Sequence, residues 1–275
     1  MDSGYNEDLN PQISAVIASV GDRPSIIKTI DSLRNTIDRL LEIIIVLPPK
    51  IRIPDFLINE MTCSSIPILV IESPTRGQVQ QRQHGVSRAN AKYVIYCDDD
   101  IELTSRLPEI APNFVIAPVF VDSRHRVMTR RLPFQDTVAA YFFAKLTGCY
   151  WSEGRVSVFG FGLPFSYRGK RHLLGSNVYI EREWLPGGCI VFPRDLFPKD
   201  NYYPFSGYAY GEDVALSLTL RSRGLVLAHA LAFQACLGDS PELQAKKTLH
   251  NRIFFYIRHI KILYFLITLR KTIFK

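Results

Sequence analysis

The sequence lacks the features of disulfide-rich, zinc-binding and membrane-spanning proteins. Its five cysteines are scattered and odd in number, and no two form a CxxC pair, which argues against a disulfide framework or a structural zinc site. The longest uncharged apolar run near the C-terminus, residues 262–269, has eight residues, far fewer than the roughly 20 that cross a bilayer. Residues 1–12 lack the basic start and apolar core of a secretory signal. We therefore expect a cytoplasmic protein.

Low-complexity linkers and internal repeats are also absent. Hydrophobic residues make up 47% and charged residues 21% of the 275 residues, which is the balance of a globular chain and excludes a disordered one. We expect one domain over residues 1–240, followed by a basic, apolar helical segment over residues 241–275.

Acidic residues are missing from the C-terminal end, where the positive charge is concentrated. The chain has 33 Lys and Arg against 26 Asp and Glu, and residues 249–275 hold six of the basic residues and no acidic one. The remainder is almost neutral, which argues against nucleic-acid binding. A basic, apolar helix over these residues could lie on the surface of an anionic membrane. Alternatively, it could dock against the rest of the protein with its charged side chains in water. We expect peripheral contact with the inner face of the cell membrane.

Strand and helix patterns alternate along the first hundred residues. Short apolar runs predict strands, and longer periodic or polar-faced segments predict helices. The predicted strands cover residues 13–19, 42–47, 66–71 and 93–97. One predicted helix has Pro24 in its first turn, and another covers residues 78–90. Further strands are predicted over residues 113–121 and 225–233, a turn leading into a strand over residues 184–192, and further helices over residues 136–146 and 214–223. This alternation is typical of a parallel sheet covered on both faces.

Two acidic elements stand where such a sheet binds ligands, beyond the carboxyl ends of strands. Asp98, Asp99 and Asp100 follow a buried strand. They form either a solvated capping turn, or a site in which Asp98 and Asp100 share a divalent cation with phosphate oxygens. Glu212 and Asp213 begin a predicted helix, where they either complement its dipole or offer a general base to a hydroxyl.

The segments YVIYCDDD, EWLPGGCIVFPRDLF and GYAYGEDVALSLTLRSRG, in this order, resemble the motifs of family-two glycosyltransferases. The likeness runs from about residue 13 to residue 233. It implies an α/β protein of the GT-A type, with a Rossmann-like, mostly parallel central sheet flanked by helices and an amphipathic C-terminal helical tail. It also implies a metal-dependent, inverting glycosyltransferase that moves a sugar from a nucleotide-sugar donor to an acceptor hydroxyl, in surface polysaccharide or glycolipid synthesis.

The resemblance assigns roles to individual residues. Asp98 and Asp100 match the DxD motif and imply ligands of Mn²⁺ or Mg²⁺, while Asp213 matches the catalytic base and Glu212 its neighbour in the ED motif. Contacts with the nucleotide sugar are implied for Ser19, Asp22, Arg23, Arg82, Asp98 and Asp99. A sugar and acceptor pocket is implied for Trp184, Gly187 and Gly188, with ordinary core packing as the alternative for Trp184.

Three positions depart from the family pattern. Leu47-Pro48-Pro49 stands where an aspartate usually helps to read the base, and Gln83 stands where the family has asparagine. A histidine that joins the metal site in many members has no single counterpart. The candidates here are Gln234, His229 and His250.

Two other functions are compatible with this fold. A sugar nucleotidyltransferase has a similar sheet but requires a glycine-rich basic loop after the first strand, which SVGDRP matches poorly. A non-catalytic binding protein recruited to the membrane is the second. For the leading function, the expected partners are a nucleotide-sugar donor and a glycan or lipid-linked acceptor, without nucleic acid.

Overall fold

The computed structural model describes residues 11–122, 170–205, 211–237, 261–262 and 264–272. The strands in this part of the chain are β1 (Ile13–Ala18), β2 (Leu40–Leu47), β3 (Ile68–Glu72), β4 (Tyr93–Asp98), β5 (Ile101–Leu103), β6 (Phe114–Val121), β7 (Arg171–Leu174), β8 (Asn177–Arg182), β9 (Cys189–Pro193) and β10 (Val226–Leu237). The helices are α1 (Ile26–Thr36), α2 (Asp55–Cys63), α3 (Gln78–Arg88) and α4 (Glu212–Ser222), with a short 3₁₀ turn at Arg194–Leu196. Residues 261–262 and 264–272 are also helical and are called the C-terminal helix.

All the strands belong to one sheet, in the order β3-β2-β1-β4-β9-β6-β10-β8-β7, with β5 paired to β10. Strands β1 to β4 are parallel, and the antiparallel β9 separates β4 from β6, which is parallel to β10. The strands β1 to β4, β6 and β10 therefore point the same way. The prediction of a GT-A type α/β fold with a mostly parallel central sheet is confirmed.

The order of the strands creates a crevice beside β1. The chain proceeds outward from β1 to β2 and β3, then returns to place β4 on the other side of β1. The connections leaving β1 and β4 therefore diverge, and this reversal opens a crevice at the carboxyl ends of the two strands. Ser19 directly follows β1, and Asp98 is the last residue of β4.

Each face of the sheet has its own apolar core. One cluster joins β1, β2 and β4 to α1, and the other joins the opposite face to α3, α4 and the C-terminal helix. Helix α3 lies very close to the sheet, because a Cβ atom at Gly85 would come within 2.4 Å of Val16 Cγ1 and 2.8 Å of Val46 Cγ2. This close contact fixes the polar side chains of α3 relative to the crevice.

The C-terminal helix docks on the body. Ile262 and Leu266 are fully buried in the second cluster, and the ring of Phe265 meets that of Phe205 edge to face at 5.5 Å. Docking, one of the two alternatives for the tail, thus holds for these residues. Among the described helices, none combines the length and apolarity needed to span a membrane.

The structure also contains elements that the sequence patterns missed, namely α2, β5, β7 and β8. The last predicted strand extends further than expected, to Leu237. The helix predicted over residues 136–146 lies outside the described residues. The domain boundary at residue 240 remains a prediction.

Candidate active site

A cleft of about 590 Å³ lies at the carboxyl ends of β1 and β4. Its walls come from the turn after β1, the start of α3 and the three consecutive aspartates. The lining residues are Ala18, Ser19, Val20, Arg23, Pro48, Arg76, Gly77, Gln78, Gln81, Asp98, Asp99 and Asp100. The cleft therefore occupies the crevice expected to bind a ligand in an open α/β sheet.

The turn after β1 is held against the aspartates. Ser19 Oγ donates a hydrogen bond to Asp99 Oδ2 at 2.6 Å and accepts one from the Gly21 N–H at 3.0 Å. Arg23 Nη1 lies 3.3 Å from Asp99 Oδ1 and 3.8 Å from Asp100 Oδ2. Burial raises the pKa of Asp99, while Ser19 and Arg23 oppose that rise. Asp99 is thus tied to the loop, and its neighbours Asp98 and Asp100 flank it at the cleft.

Asp98 is positioned from α3. Gln78 Nε2 and Arg82 Nη2 both donate to Asp98 Oδ1, at 2.7 and 2.6 Å, so that one carboxylate oxygen is fully engaged. Burial raises the pKa of Asp98 to about 6, against the opposing effect of Arg82. Gln81 Nε2 donates to the carbonyls of Ser19 and Val46, at 2.9 and 2.7 Å, which fixes α3 to the ends of β1 and β2.

Arg82 connects the two acidic elements beneath the cleft. Its side chain is 1% exposed; besides Asp98, it donates to Glu212 and to the Gly187 carbonyl. The guanidinium carbon lies 4.4 Å from the centroid of the Tyr96 ring, a cation–π distance. A buried guanidinium requires such partners to offset the loss of hydration.

Gly187 brings the loop before β9 against the start of α4. A Cβ atom at this position would lie 2.5 Å from Glu212 Oε1 and 3.2 Å from Asp213 Cβ. Only glycine therefore permits this approach without moving the carboxylate. Gly188 continues the loop, and its carbonyl accepts the Asp98 N–H at 2.9 Å. The predicted pocket glycines thus lie between the two acidic elements.

Asp213 is the less buried carboxylate of the ED pair. It is half-buried in the first turn of α4, and its Oδ1 accepts the Val214 N–H at 2.9 Å. Burial, together with the adjacent Glu212 charge, raises the pKa of Asp213 to about 7. A carboxylate with a pKa near neutrality is well suited to accept a proton.

The donor set at the cleft fits a hard divalent cation. Asp98 and Asp100 both line it and offer oxygen ligands, and Mg²⁺ is commonly held by one or two carboxylates together with substrate phosphates. Within the described residues, no group of three or more His, Cys, Asp or Glu side chains forms a complete protein cage. The remaining ligands would then come from substrate and water.

Neither Gln234 nor His229, two of the candidates for an additional metal ligand, is among the residues that line the described cleft. The Gln234 carbonyl accepts the Thr104 N–H, four residues beyond Asp100. His229 pairs with Ala117 in the middle of β6, and burial lowers the pKa of this histidine to about 3. His250 and residues 207–210 of the glycine-rich motif are outside the described residues.

The predicted nucleotide-binding residues divide between the cleft and its support. Ser19, Arg23, Asp98 and Asp99 line the cleft, whereas Asp22 is exposed beside it and Arg82 is buried beneath it. Trp184 is half-buried against the second core cluster. Sequence reasoning missed Gln78 and Gln81, Tyr96 and Tyr202. The polar face of α3 was the available signal for the two glutamines.

A family model matches the first part of the chain. Residues 14–129 match glycosyl transferase family 2. The resemblance in the sequence motifs is therefore confirmed, and the matched segment contains the Ser19 turn, the polar face of α3 and all three aspartates. No curated protein matches the sequence significantly.

Solved structures show the same fold. GalNAc-T7 with UDP, GalNAc and Mn²⁺ superposes with a TM-score of 0.59 at 15% identity, over 86% of this chain and 46% of that one. The mannosyltransferase PcManGT from Pyrobaculum calidifontis, with GDP-Man and Mn²⁺, gives 0.50 at 14%, over 85% and 59%. S. aureus TarS gives 0.50 at 11%, over 84% and 37%. The chain thus spans less than two thirds of each of these proteins.

Proposed function

We propose that this protein is a metal-dependent, inverting glycosyltransferase that uses a nucleotide-sugar donor. The observation that carries the proposal is the position of Asp98 and Asp100 in the crevice between β1 and β4, with Asp213 presented from the start of α4 on the other side of Gly187. The family-two match and the nucleotides and Mn²⁺ held by structural neighbours support this assignment.

The donor nucleotide occupies the cleft in this proposal. Ser19 and Arg23 border one side of it, and Gln78 and Arg76 border the other. Arg23 and Arg76 supply positive charge for a diphosphate. Pro48 replaces a carboxylate at the end of β2, so the base is contacted there by an apolar ring. Asp22 lies just outside this wall.

Asp98 and Asp100 would hold Mn²⁺ or Mg²⁺. Bound there, the cation would neutralise charge on the diphosphate. Arg82 and Gln78 keep Asp98 in place through Oδ1. Arg23 reaches Asp99 and Asp100 from the opposite side.

Transfer is a single displacement at the anomeric carbon. An acceptor hydroxyl oxygen forms the new bond to this carbon as the bond to the diphosphate oxygen breaks, and the bonding electrons leave with the diphosphate. Asp213 accepts the hydroxyl proton. Attack on the face opposite the leaving group inverts the anomeric configuration. Gly187 and Gly188 leave room for the sugar beside Asp213, and Trp184 flanks this loop.

The acceptor in this proposal is a glycan or a lipid-linked sugar used in surface polysaccharide or glycolipid synthesis. The C-terminal helix places exposed Lys261 and Lys271 on the same side of the sheet as α4. Basic side chains of this kind attract anionic lipid headgroups. Peripheral contact with the inner face of the cell membrane would bring a lipid-linked acceptor toward Asp213.

Calorimetry tests the donor site. UDP-, GDP- and dTDP-sugars are titrated into the protein with and without Mn²⁺, and at least one is expected to bind more tightly with the cation. The double variant Asp98→Asn/Asp100→Asn is expected to lose this Mn²⁺-dependent gain. Asp195→Asn, a highly exposed aspartate, is the matched control.

Two results would contradict the proposal. Failure of every nucleotide sugar to bind would refute the proposed donor site. Unchanged Mn²⁺-dependent affinity in the double variant would refute the proposed role of Asp98 and Asp100 as metal ligands. Release of inorganic diphosphate from a nucleoside triphosphate and a sugar phosphate would instead identify a nucleotidyltransferase. Binding without transfer or hydrolysis would identify a non-catalytic protein.

A further inference from the structure

Glu212 is placed differently from a residue that exchanges protons with substrate. Its side chain is 6% exposed, and both carboxylate oxygens are engaged. Oε1 accepts from Arg82, and Oε2 accepts from the Tyr202 hydroxyl at 3.1 Å. Tyr202 is itself buried. The carboxylate is therefore fixed between an arginine and a phenol, beneath the loop that contains Gly187.

Arg82 links this carboxylate to the donor side of the cleft. The same guanidinium that binds Glu212 also binds Asp98 Oδ1 at 2.6 Å and the Gly187 carbonyl at 2.6 Å. One buried cation therefore lies between two carboxylates on different elements, β4 and α4. Its partners come from the three motifs that define the site, although they are far apart in the sequence.

We propose that Arg82 and Glu212 are positioning residues: their ion pair joins the donor carboxylate Asp98 to the acceptor side of the site and holds both charges close to Asp213, because Glu212 Oε1, Asp213 Cβ and Arg82 Nη1 all lie within 3.5 Å of the position that a Cβ atom at Gly187 would take. This inference rests on the proposed function, and it reassigns Glu212 from a catalytic role to a positioning one. Asp213, half-buried and adjacent to Glu212, is the group that contacts the acceptor.

The electrostatic argument predicts opposite effects of the two charges. Among the described residues, the groups that act on Asp213 or respond to it are Glu212 on the same helix, Arg82 on α3 and Tyr96 on β4. The negative charge of Glu212 opposes ionisation of Asp213, whereas the positive charge of Arg82 favours it. Loss of the Glu212 charge should therefore make Asp213 more acidic.

The direct test is a carboxyl titration by ¹³C NMR of the full-length protein, with the Asp213 signal assigned by its loss in Asp213→Asn. In Glu212→Gln, which keeps the shape of the side chain, the midpoint for Asp213 is expected to fall by about one pH unit. Tyr202→Phe removes the other partner of Glu212 but keeps the Glu212 charge. The Asp213 midpoint should therefore change less in this variant than in Glu212→Gln. Asp195→Asn should leave the midpoint where it is.

Donor turnover provides the second readout, with hydrolysis of the nucleotide sugar selected by calorimetry as the assay. Glu212→Gln is expected to keep the donor affinity, to lower kcat about tenfold through loss of alignment, and to move the acidic limb of the pH profile downward. Arg82→Lys, which keeps the positive charge, should recover more activity than Arg82→Met.

The outcomes separate the inference from the function on which it rests. An unmoved Asp213 midpoint in Glu212→Gln would overturn the inference, even if turnover is normal in the wild type. Loss of turnover in Glu212→Gln as complete as in Asp213→Asn would also overturn it, since Glu212 would then act on substrate. Absence of nucleotide-sugar binding in the wild type would refute the proposed function, while the NMR titration would still decide the electrostatic link.

Discussion

At the scale of single residues, Glu212 and Asp213 illustrate how neighbours in the chain acquire different chemistry. Glu212 points into a buried set of partners, Arg82 and Tyr202, whereas Asp213 keeps partial exposure and a pKa near 7. Burial raises the pKa of a carboxyl, and a neighbouring negative charge raises it further. The pair therefore supplies one carboxylate held in place by its partners and one group able to exchange protons near neutral pH.

Gly187 provides a residue-scale prediction. In Gly187→Ala the new methyl group would lie 2.5 Å from Glu212 Oε1, and Glu212 cannot easily move because Arg82 and Tyr202 hold it. We expect turnover to fall by about 10- to 100-fold, with little change in donor affinity measured by calorimetry. Gly188→Ala is the matched comparison, since its Cβ would meet its neighbours at 3.5 Å or more. The turnover of this variant should fall less than that of Gly187→Ala. Equal losses would contradict the steric argument.

The sequence motifs single out Asp98, Asp100 and Asp213 as candidate site residues, but they do not predict the partners of these residues. Asp98, Asp100 and Asp213 were identifiable because short motifs recur with particular neighbours. The bond from Arg82 to Glu212 joins residues 130 positions apart, and no local pattern encodes such a contact. Tyr202 and Tyr96 carried no signal either, because a buried tyrosine in an apolar segment resembles ordinary core packing.

At the scale of elements, α3 determines the geometry of the site. Its inner face packs on β1 and β2 at Gly85, while Gln78 and Arg82 reach Asp98 from the same helix. Residues spaced three and four apart lie on one helical face, so that one helix can pack on the sheet and position the carboxylate together. Movement of α3 would therefore disturb the donor side directly.

Gly85→Ala tests this packing. The added methyl group would clash with Val16 and Val46, and overpacking of this kind costs about 1 to 3 kcal/mol of stability. Urea denaturation should show a lower free energy of unfolding, and donor affinity should fall with the displacement of α3. Ser87→Ala, on the exposed face of the same helix, is the control. Stability equal to that of the control would contradict the close packing.

Three of the elements that the sequence missed, α2, β5 and β7, have a weak hydrophobic pattern. Helix α2 buries only Leu57, so its apolar residues do not form a clear stripe. Strand β7 leaves Leu173 77% exposed, and β5 has three residues. The elements near the cleft were easier to predict because β1, β2 and β4 are buried on both faces and therefore read as continuous apolar runs.

At the scale of the whole molecule, the net charge of +7 is distributed unevenly. The C-terminal helix buries Ile262 and Leu266 in the second core cluster and leaves Lys261, Tyr264 and Lys271 exposed. The apolar side of this helix therefore contacts the protein itself. Contact with a membrane would depend on the basic side chains more than on insertion of this apolar face.

Flotation with liposomes tests the membrane contact. The variant Lys261→Gln/Lys271→Gln keeps the docked face intact and is expected to weaken binding to anionic vesicles by roughly 10- to 30-fold, at about 1 kcal/mol for each basic residue near the surface. The matched control, Lys50→Gln/Arg52→Gln, alters exposed basic residues elsewhere. Equal binding by both variants would contradict a role for the tail.

The central claim, that Asp213 is the base of a nucleotide-sugar transferase, is tested most directly by the pH profile of turnover in the wild type and in Asp213→Asn. With a pKa of about 7, the ionised form of Asp213 is lost below neutrality, so kcat of the wild type should fall about tenfold per pH unit on the acidic side. Asp213→Asn should bind the donor normally and lose turnover by about 10²- to 10⁴-fold, without that acidic limb. Turnover at the wild-type rate in Asp213→Asn would contradict the account.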